Sequence, residues 1–466
     1  MAGPNILFIH SDQHRFDSLG INGNSFVQTP NLDRLAGQGV NFTHAFTTIP
    51  ICSPARASIM TGAWPTRHGC LCIPSSEMWQ PAQRHLPVLT DLMKAQGYRQ
   101  AWTGKFHREV EGGPCDYGVE EYLGLGEYTR WRKAKGIPPA ERTKGLFGEV
   151  EEIAPESSSL AWQADQIIRM LEERKDGEQP FFVRWDPPQP HLPCRPPRAV
   201  WERYSQMTIP PWPSWPESFE NKPRAQQRQI EIWGLQDWPW ERFEEIVRLY
   251  FAEITHLDTQ IGRVLEKLDE IGATNDTLVI YSTDHGDYCG GHGQMDKHFA
   301  MYEDITHVPL IMRWPGQLPA GASCDAFVSN SIDLARTIAE TGGVDVPDSF
   351  QGLNLLKAVQ EPESWPREDI YAQYFGTESG AFSQRMIRDR RFKYVFNPTD
   401  LDEFYDLETD PGELNNRVND PDWQSEINRL RHRLVAWMEE VKDPLANKWT
   451  RVSLLGEAPV SAMLES

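Results

Sequence analysis

Cys52-Ser53-Pro54-Ala55-Arg56, continuing through Ala57-Ser58-Ile59-Met60-Thr61-Gly62, is the stretch on which the reading of this chain turns. A cysteine ahead of a proline is most often an inert packing residue. Here Pro54 has the fixed φ suited to a first helical position, and Thr61-Gly62 supplies a stop. Cys52 and Ser53 then sit at a helix N-terminus, where backbone N–H groups and the helix dipole favour anions. Arg56 adds a positive charge one turn in. The stretch reads either as a site that attacks or holds an anion, or as a structural cysteine.

Working outward, the flanking elements alternate as buried strands and helices. Ile6 to Ile9 is a continuous apolar run, the pattern of a strand buried on both faces of a parallel sheet. It breaks into His10-Ser11-Asp12-Gln13-His14-Arg15. Leu89 to Lys94 is helical, and Tyr98 to Trp102 is a strand that delivers Gly104-Lys105-Phe106-His107. Ser157 to Glu173 has helical spacing and ends at Asp176-Gly177. Phe181-Phe182-Val183 is a strand that breaks into Asp186-Pro187-Pro188-Gln189-Pro190-His191, where the prolines hold a histidine in a defined loop. Thr277 to Tyr281 is a strand ending in Ser282-Thr283-Asp284-His285-Gly286, followed by a glycine-rich loop, Lys297 and Tyr302-Glu303. Each polar cluster alone is accounted for by a capped turn or a solvated loop. Together they lie where open α/β sheets collect their chemistry, past the carboxyl ends of the strands.

These elements predict an α/β fold, a large, mainly parallel sheet flanked by helices, over residues 1–365. Short alternating strands around Arg385 to Phe396 and Glu403 to Asp406, then a helix from Pro421 to Val441, predict a smaller C-terminal antiparallel α+β subdomain over 366–466. Residues of about 195–241 form an insertion rich in Pro and Trp, whose tryptophans either pack or stack on a substrate ring.

Composition bounds the function. With 466 residues and 39% hydrophobic content the chain can bury a large core. A formal net charge of -21 argues against nucleic acid or an anionic membrane as partner, and requires a local positive pocket for any anionic substrate. Seven cysteines, irregularly spaced, imply no disulfide framework, and Cys70-Leu71-Cys72 lacks the second pair a metal site needs. No run of about 18 apolar residues occurs, so no membrane span is expected. A complete chain would be cytoplasmic; one that has lost a signal segment would be periplasmic or secreted. The oligomeric state is not legible.

Five elements therefore bring two sets of side chains to one sheet edge. Asp12, Gln13, Asp284 and His285 offer oxygen and nitrogen ligands to a cation. Arg56, Lys105, His107, His191 and Lys297 offer positive charge or protons. A metal with several basic groups suits an ester whose non-bridging oxygens are charged.

Motif by motif this resembles the formylglycine-dependent sulfatases of the alkaline phosphatase superfamily. Their signature runs Cys-x-Pro-x-Arg and closes on Thr-Gly, as Cys52 to Gly62 does. Lys105 and His107 fall on a Gly-Lys-x-His motif, and His292-Gly293, Lys297 and Tyr302-Glu303 on a further family run. The resemblance implies that a maturation enzyme oxidises Cys52 to Cα-formylglycine, whose hydrated aldehyde attacks sulfur and later eliminates sulfate. It implies one divalent metal, Ca²⁺ with Mn²⁺ or Mg²⁺ as alternatives, held by Asp12, Gln13, Asp284, His285 and residue 52. Arg56 would stabilise the nucleophile and His107 assist elimination. Lys105, His191 and Lys297 would bind the substrate, with His191 or Lys297 protonating the leaving oxygen. Many arylsulfatases carry aspartate where Gln13 stands and asparagine where His285 stands. The pair here resembles the branch of choline sulfatases and phosphonate monoester hydrolases. The expected activity is hydrolysis of a sulfate monoester of a saccharide, choline or aryl alcohol. The alternatives are a phosphonate monoester or phosphodiester hydrolase with the same machinery, and a non-catalytic binder of sulfated glycans.

Overall fold

Alternation along Ile6-Leu7-Phe8-Ile9 determines how the central sheet is covered. In the computed structural model, which describes residues 3–139, 145–175, 177–376 and 381–457, all four side chains are fully buried. Successive side chains point to opposite faces of a strand, so a strand apolar at every position needs a layer on each side. Ile6 and Phe8 join Phe182, Leu278 and Ile280 under Met93, Leu334 and Ile338. Leu7 and Ile9 join Val183, Val279 and Tyr281 under Leu160, Ile167, Leu257 and Ile261. Helices Leu89–Ala95 and Asn330–Thr341 thus cover one face, and Ser159–Glu172 and Trp240–Glu270 the other. Each such aliphatic side chain contributes about 1.5–3 kcal/mol by burial, so the central strands are the stable frame of the molecule.

The main sheet has eight strands: β1 (Asn5–Ser11), β2 (Val40–Phe42), β3 (Arg99–Gly104), β4 (Glu121–Gly124), β5 (Phe181–Asp186), β6 (Thr277–Thr283), β7 (Leu310–Arg313) and β8 (Ala322–Cys324). Their order is β4-β3-β5-β1-β6-β7-β2-β8. All neighbours are parallel except β7, which runs against both β6 and β2. The register matters for function. Gly104 pairs with Asp186, Ile9 with Trp185 and Ser11 with Thr283, so β3, β5, β1 and β6 end side by side.

A second sheet, antiparallel throughout, is formed by β9 (Ile370–Gly376), β10 (Phe382–Arg388), β11 (Phe392–Phe396) and β12 (Glu403–Asp406). Helix Gln424–Glu440 lays Ile427, Leu430 and Leu434 on one of its faces, against Ile387, Tyr394 and Phe404. The opposite face, through Ala372, Tyr374 and Met386, packs on Ile49, Ile51 and Ala55 and so buttresses the helix that carries Cys52. The expected fold class is therefore observed. Asp176, and residues 377–380 and 458–466 of the expected C-terminal unit, lie outside the described residues.

The Pro- and Trp-rich insertion is a packed layer. Trp212 and Trp215 sit with Phe243 and Tyr250 of the long helix, and Trp212 Nε1 donates to the Cys289 carbonyl. Cys70 and Cys72 are buried, and neither joins a metal-ligating cluster among the described residues. No helix of the described residues is long and apolar enough to cross a membrane.

Candidate active site

Cys52 opens the helix Cys52–Thr61. The sequence reading put Pro54 first in that helix, but the helix starts two residues earlier and Pro54 is third. This costs no hydrogen bond, because the first four backbone N–H groups of a helix have no intrahelical partner. Gly62 ends the helix with φ 64°, and a Cβ there would lie 2.3 Å from the Phe350 ring. Every residue from Cys52 to Thr61 is buried, so the position of Cys52 is held rigidly.

Arg56, fully buried, projects from the next turn into a cage of three carboxylates. Its Nε donates to Asp284 Oδ2 at 2.8 Å, one terminal nitrogen to Asp186 Oδ1 at 2.7 Å, and the other to Asp12 Oδ2 at 2.9 Å. Lys105 Nζ also donates to Asp12 Oδ2, at 2.5 Å. Lys105 owes its place to Gly104, whose φ of 114° lets the end of β3 approach β5 so closely that a Cβ would lie 2.1 Å from the Asp186 carbonyl oxygen.

In front of this cage the second oxygens of Asp12 and Asp284 face Cys52 and His285. Cys52 Sγ is 3.2 Å from His285 Nε2 and 3.7 Å from Asp12 Oδ1. His285 Nδ1 donates to the Gly286 carbonyl at 2.8 Å, which leaves the Nε2 lone pair directed into the site. Asp12, Cys52, Asp284 and His285 place one ligand atom each within 4.8 Å of one another, all buried. Gln13, at φ 64°, donates from Nε2 to Asp287 Oδ2 at 2.6 Å and accepts from Lys297 Nζ at 2.9 Å. Its carbonyl oxygen keeps a second lone pair.

Lys297 is the hub of the opposite wall. Besides Gln13 it donates to Asp296 Oδ1 and to His191 Nε2, each at 2.8 Å. His107 reaches Cys52, its backbone carbonyl accepts the Ser53 hydroxyl at 2.8 Å, and its backbone N–H donates to Glu109.

The electrostatics follow from burial set against this charge. Burial alone would raise the Cys52 thiol, but Lys105, Lys297, His285 and His107 bring it well below its ordinary range. Burial and the Cys52 thiolate both push the Asp12 carboxyl up, and Lys105, Arg56 and His191 more than reverse them. Burial opposes charge on Lys297, yet Asp296, Cys52 and Asp12 hold its pKa above the usual lysine value. Position 52 therefore favours an anion, in a chain whose net charge is -21.

All ten residues singled out in the sequence, Asp12, Gln13, Cys52, Arg56, Lys105, His107, His191, Asp284, His285 and Lys297, converge on this one edge. His292 and Tyr302 do not. Their rings stack at 3.6 Å, and His292 hydrogen-bonds Glu217, as part of the wall behind the site. The sequence reading passed over Asp186, Asp287, Asp296 and Glu109. Asp186 had a signal, a charged residue closing a buried strand. The others stand in loops whose course only tertiary packing sets.

The sulfatase family profile matches residues 4–344, and a profile described as N-sulphoglucosamine sulphohydrolase, C-terminal, matches residues 290–440. An arylsulfatase of Clostridium perfringens is 29% identical over 467 positions, covering 94% of each chain. An N-acetylglucosamine-6-O-sulfatase of Bacteroides thetaiotaomicron is 25% identical, covering 94% of this chain and 87% of that one. Among solved structures, a phosphonate monoester hydrolase of Agrobacterium radiobacter superposes with a TM-score of 0.82 at 26% identity, covering 94% of this chain and 96% of that chain.

Proposed function

The chain belongs to the sulfatase family of the alkaline phosphatase superfamily and is a sulfuric ester hydrolase, and from that premise we propose that it cleaves sulfate monoesters of saccharides with formylglycine at position 52 and one bound divalent metal. The observation that carries the reading is the placement of Cys52. Its sulfur, standing where the formylglycine oxygens would be, lies between two buried carboxylates and an imidazole on one side and lysines on the other. The saccharide class is supported by the relative that acts on N-acetylglucosamine 6-O-sulfate.

The donor set fits a hard cation. Arg56 neutralises Asp12 and Asp284 from behind through their Oδ2 atoms, leaving each Oδ1 turned toward the cluster with His285 Nε2 and a lone pair of Gln13 Oε1. Oxygen ligands with one imidazole suit Ca²⁺, Mn²⁺ or Mg²⁺, and Ca²⁺ is the assignment we favour. When bound, the metal would polarise an ester oxygen and favour the ionised nucleophile, and formylglycine would supply a hydroxyl that can later be released by elimination. The chain's own groups do the rest. Lys105 and Lys297 hold the non-bridging oxygens and stabilise charge passing to the leaving group. His107, beside position 52, takes the proton released on elimination, and the Lys297–His191 pair delivers one to the leaving oxygen. We further propose that residues 1–365 act as the catalytic unit, with 366–466 buttressing it.

A second reading is hydrolysis of phosphonate monoesters or phosphodiesters by the same groups. The pairing of Gln13 with His285 and the likeness to the phosphonate monoester hydrolase favour it as a side activity. A matched aryl sulfate, phosphonate and phosphodiester series decides the order. Sulfate turned over with the highest kcat/KM supports the proposal, and a preferred phosphodiester overturns it.

A further inference from the structure

A cavity of about 710 Å³ opens from the active site, with Lys105, His107 and His191 in its lining. Its volume is in the range that encloses a drug-sized organic molecule, and its position makes it the space into which the leaving alcohol extends. Three strong cations line it: Lys105, Arg132 and Arg195. Two are committed. Lys105 is bound to Asp12, and Arg132 donates to the Pro138 carbonyl, the Tyr128 hydroxyl and Glu151.

Arg195 differs. Its backbone is fixed, since its N–H donates to Glu253 Oε1 at 2.6 Å and the neighbouring carbonyls of Cys194 and Pro196 accept from Glu149 and Glu151 at 3.0 Å each. Its guanidinium makes no hydrogen bond to any described residue. Nε is buried without a partner, and the nearest carboxylate oxygen, on Glu149, is 3.8 Å away. The side chain is 18% exposed and lines the cavity. A guanidinium presents five N–H donors in a planar fork that matches an oxyanion, and a pinned, under-used fork in a cleft is prepared for one. Glu149 forms a long ion pair with it at 3.8 Å, and the other two carboxylates beside it compete less. Glu151 is paired with Arg132, and burial pushes the Glu253 carboxyl up to about 7.

We propose that Arg195 is a specificity-determining residue that binds an anionic substituent, a carboxylate or a second sulfate, on the leaving saccharide. This rests on the hydrolase reading above and adds the charge of the substrate to it. The chain's strongly negative net charge opposes a doubly anionic substrate, which therefore needs a local cation at each end.

The test uses competition against hydrolysis of 4-nitrophenyl sulfate by the formylglycine-bearing enzyme. Two matched pairs compete: methyl glucuronide 2-sulfate with its methyl ester, and glucosamine 2-N,6-O-disulfate with N-acetylglucosamine 6-sulfate. The anionic member of at least one pair is expected to compete about tenfold or more better than its neutral partner, the first pair reporting a carboxylate and the second a sulfate. Arg195→Gln should bring that ratio to within about twofold, and Arg195→Lys should retain part of it. Equal competition within both pairs, an equal loss for both members in Arg195→Gln, or choline sulfate outcompeting every anionic sugar overturns the inference while 4-nitrophenyl sulfate is still cleaved. Failure to cleave 4-nitrophenyl sulfate contradicts the hydrolase reading itself, and the inference with it.

Discussion

Lys297 Nζ donates to His191 Nε2 at 2.8 Å, and this contact decides where the available proton resides. His191 Nδ1 lies 2.6 Å from the Leu192 carbonyl oxygen, so Nδ1 carries the ring hydrogen and Nε2 is the acceptor. In the resting site this proton therefore sits on Lys297, held there by Asp296, and on the proposed mechanism it is the one delivered to the leaving oxygen. Lys297→Ala should lower kcat/KM about 10²-fold or more, with a larger loss for esters of poor leaving groups, which need the proton most. A series of aryl sulfates of graded phenol acidity measures this. An unaffected variant removes Lys297 from the chemistry, and a uniform loss across the series restricts it to holding charge.

The metal assignment predicts that chelation abolishes turnover and that Ca²⁺ restores it. Asp284→Asn, which keeps the size of the side chain, should lose both bound metal by elemental analysis and at least about 10²-fold in kcat. Unchanged metal content together with unchanged turnover would show that Asp284 serves only to neutralise Arg56.

Arg56 has a structural consequence separable from catalysis. Among the described residues it alone hydrogen-bonds Asp12, Asp186 and Asp284 together, so Arg56→Ala leaves three buried carboxylates facing one another. Removing one partner of a buried charge cluster costs about 3–5 kcal/mol, which urea denaturation of the metal-free protein should register. Arg56→Lys should recover little of this, because a compact ammonium does not span the positions that the three guanidinium nitrogens occupy between the carboxylates. A loss under about 1 kcal/mol would contradict the cage as described.

Much of this site was legible because its residues follow buried strands. Asp12 follows β1, Lys105 follows β3 and Asp284 follows β6, and a parallel sheet brings such ends together without further information. Cys52 and Arg56 were legible from helix punctuation, although the first turn was placed two residues late. Asp287 and Asp296, which orient Gln13 and Lys297, were not. They lie in the loop after β6, whose path is set by long-range contacts such as Gln229 Nε2 to the Lys297 carbonyl. Arg195 escaped notice for a related reason, since among many arginines only packing shows that this guanidinium lines the cavity with its Nε making no hydrogen bond.

Glu253 makes stability depend on pH in a defined direction. Burial raises its carboxyl from an ordinary 4.5 to about 7. The folded state therefore keeps a proton that the unfolded chain releases, so the contribution is full below about 4.5 and is lost as pH rises through 7. Relative to Glu253→Gln, the wild type should lose stability between pH 5 and 8, by roughly 3 kcal/mol at most. Denaturation midpoints of both proteins across that range give the answer. Parallel profiles would place a charged Glu253 in the fold.

The central claim is that Cys52 becomes the nucleophile. Co-expression with a formylglycine-generating enzyme, followed by mass spectrometry of the tryptic peptide Leu35 to Arg56 and assay of the same sample on 4-nitrophenyl sulfate, tests it directly. The account predicts a peptide that has lost sulfur and two hydrogens and gained one oxygen, in proportion to sulfate release, and neither change in Cys52→Ala. Full activity in a preparation whose Cys52 is an unmodified thiol would contradict it.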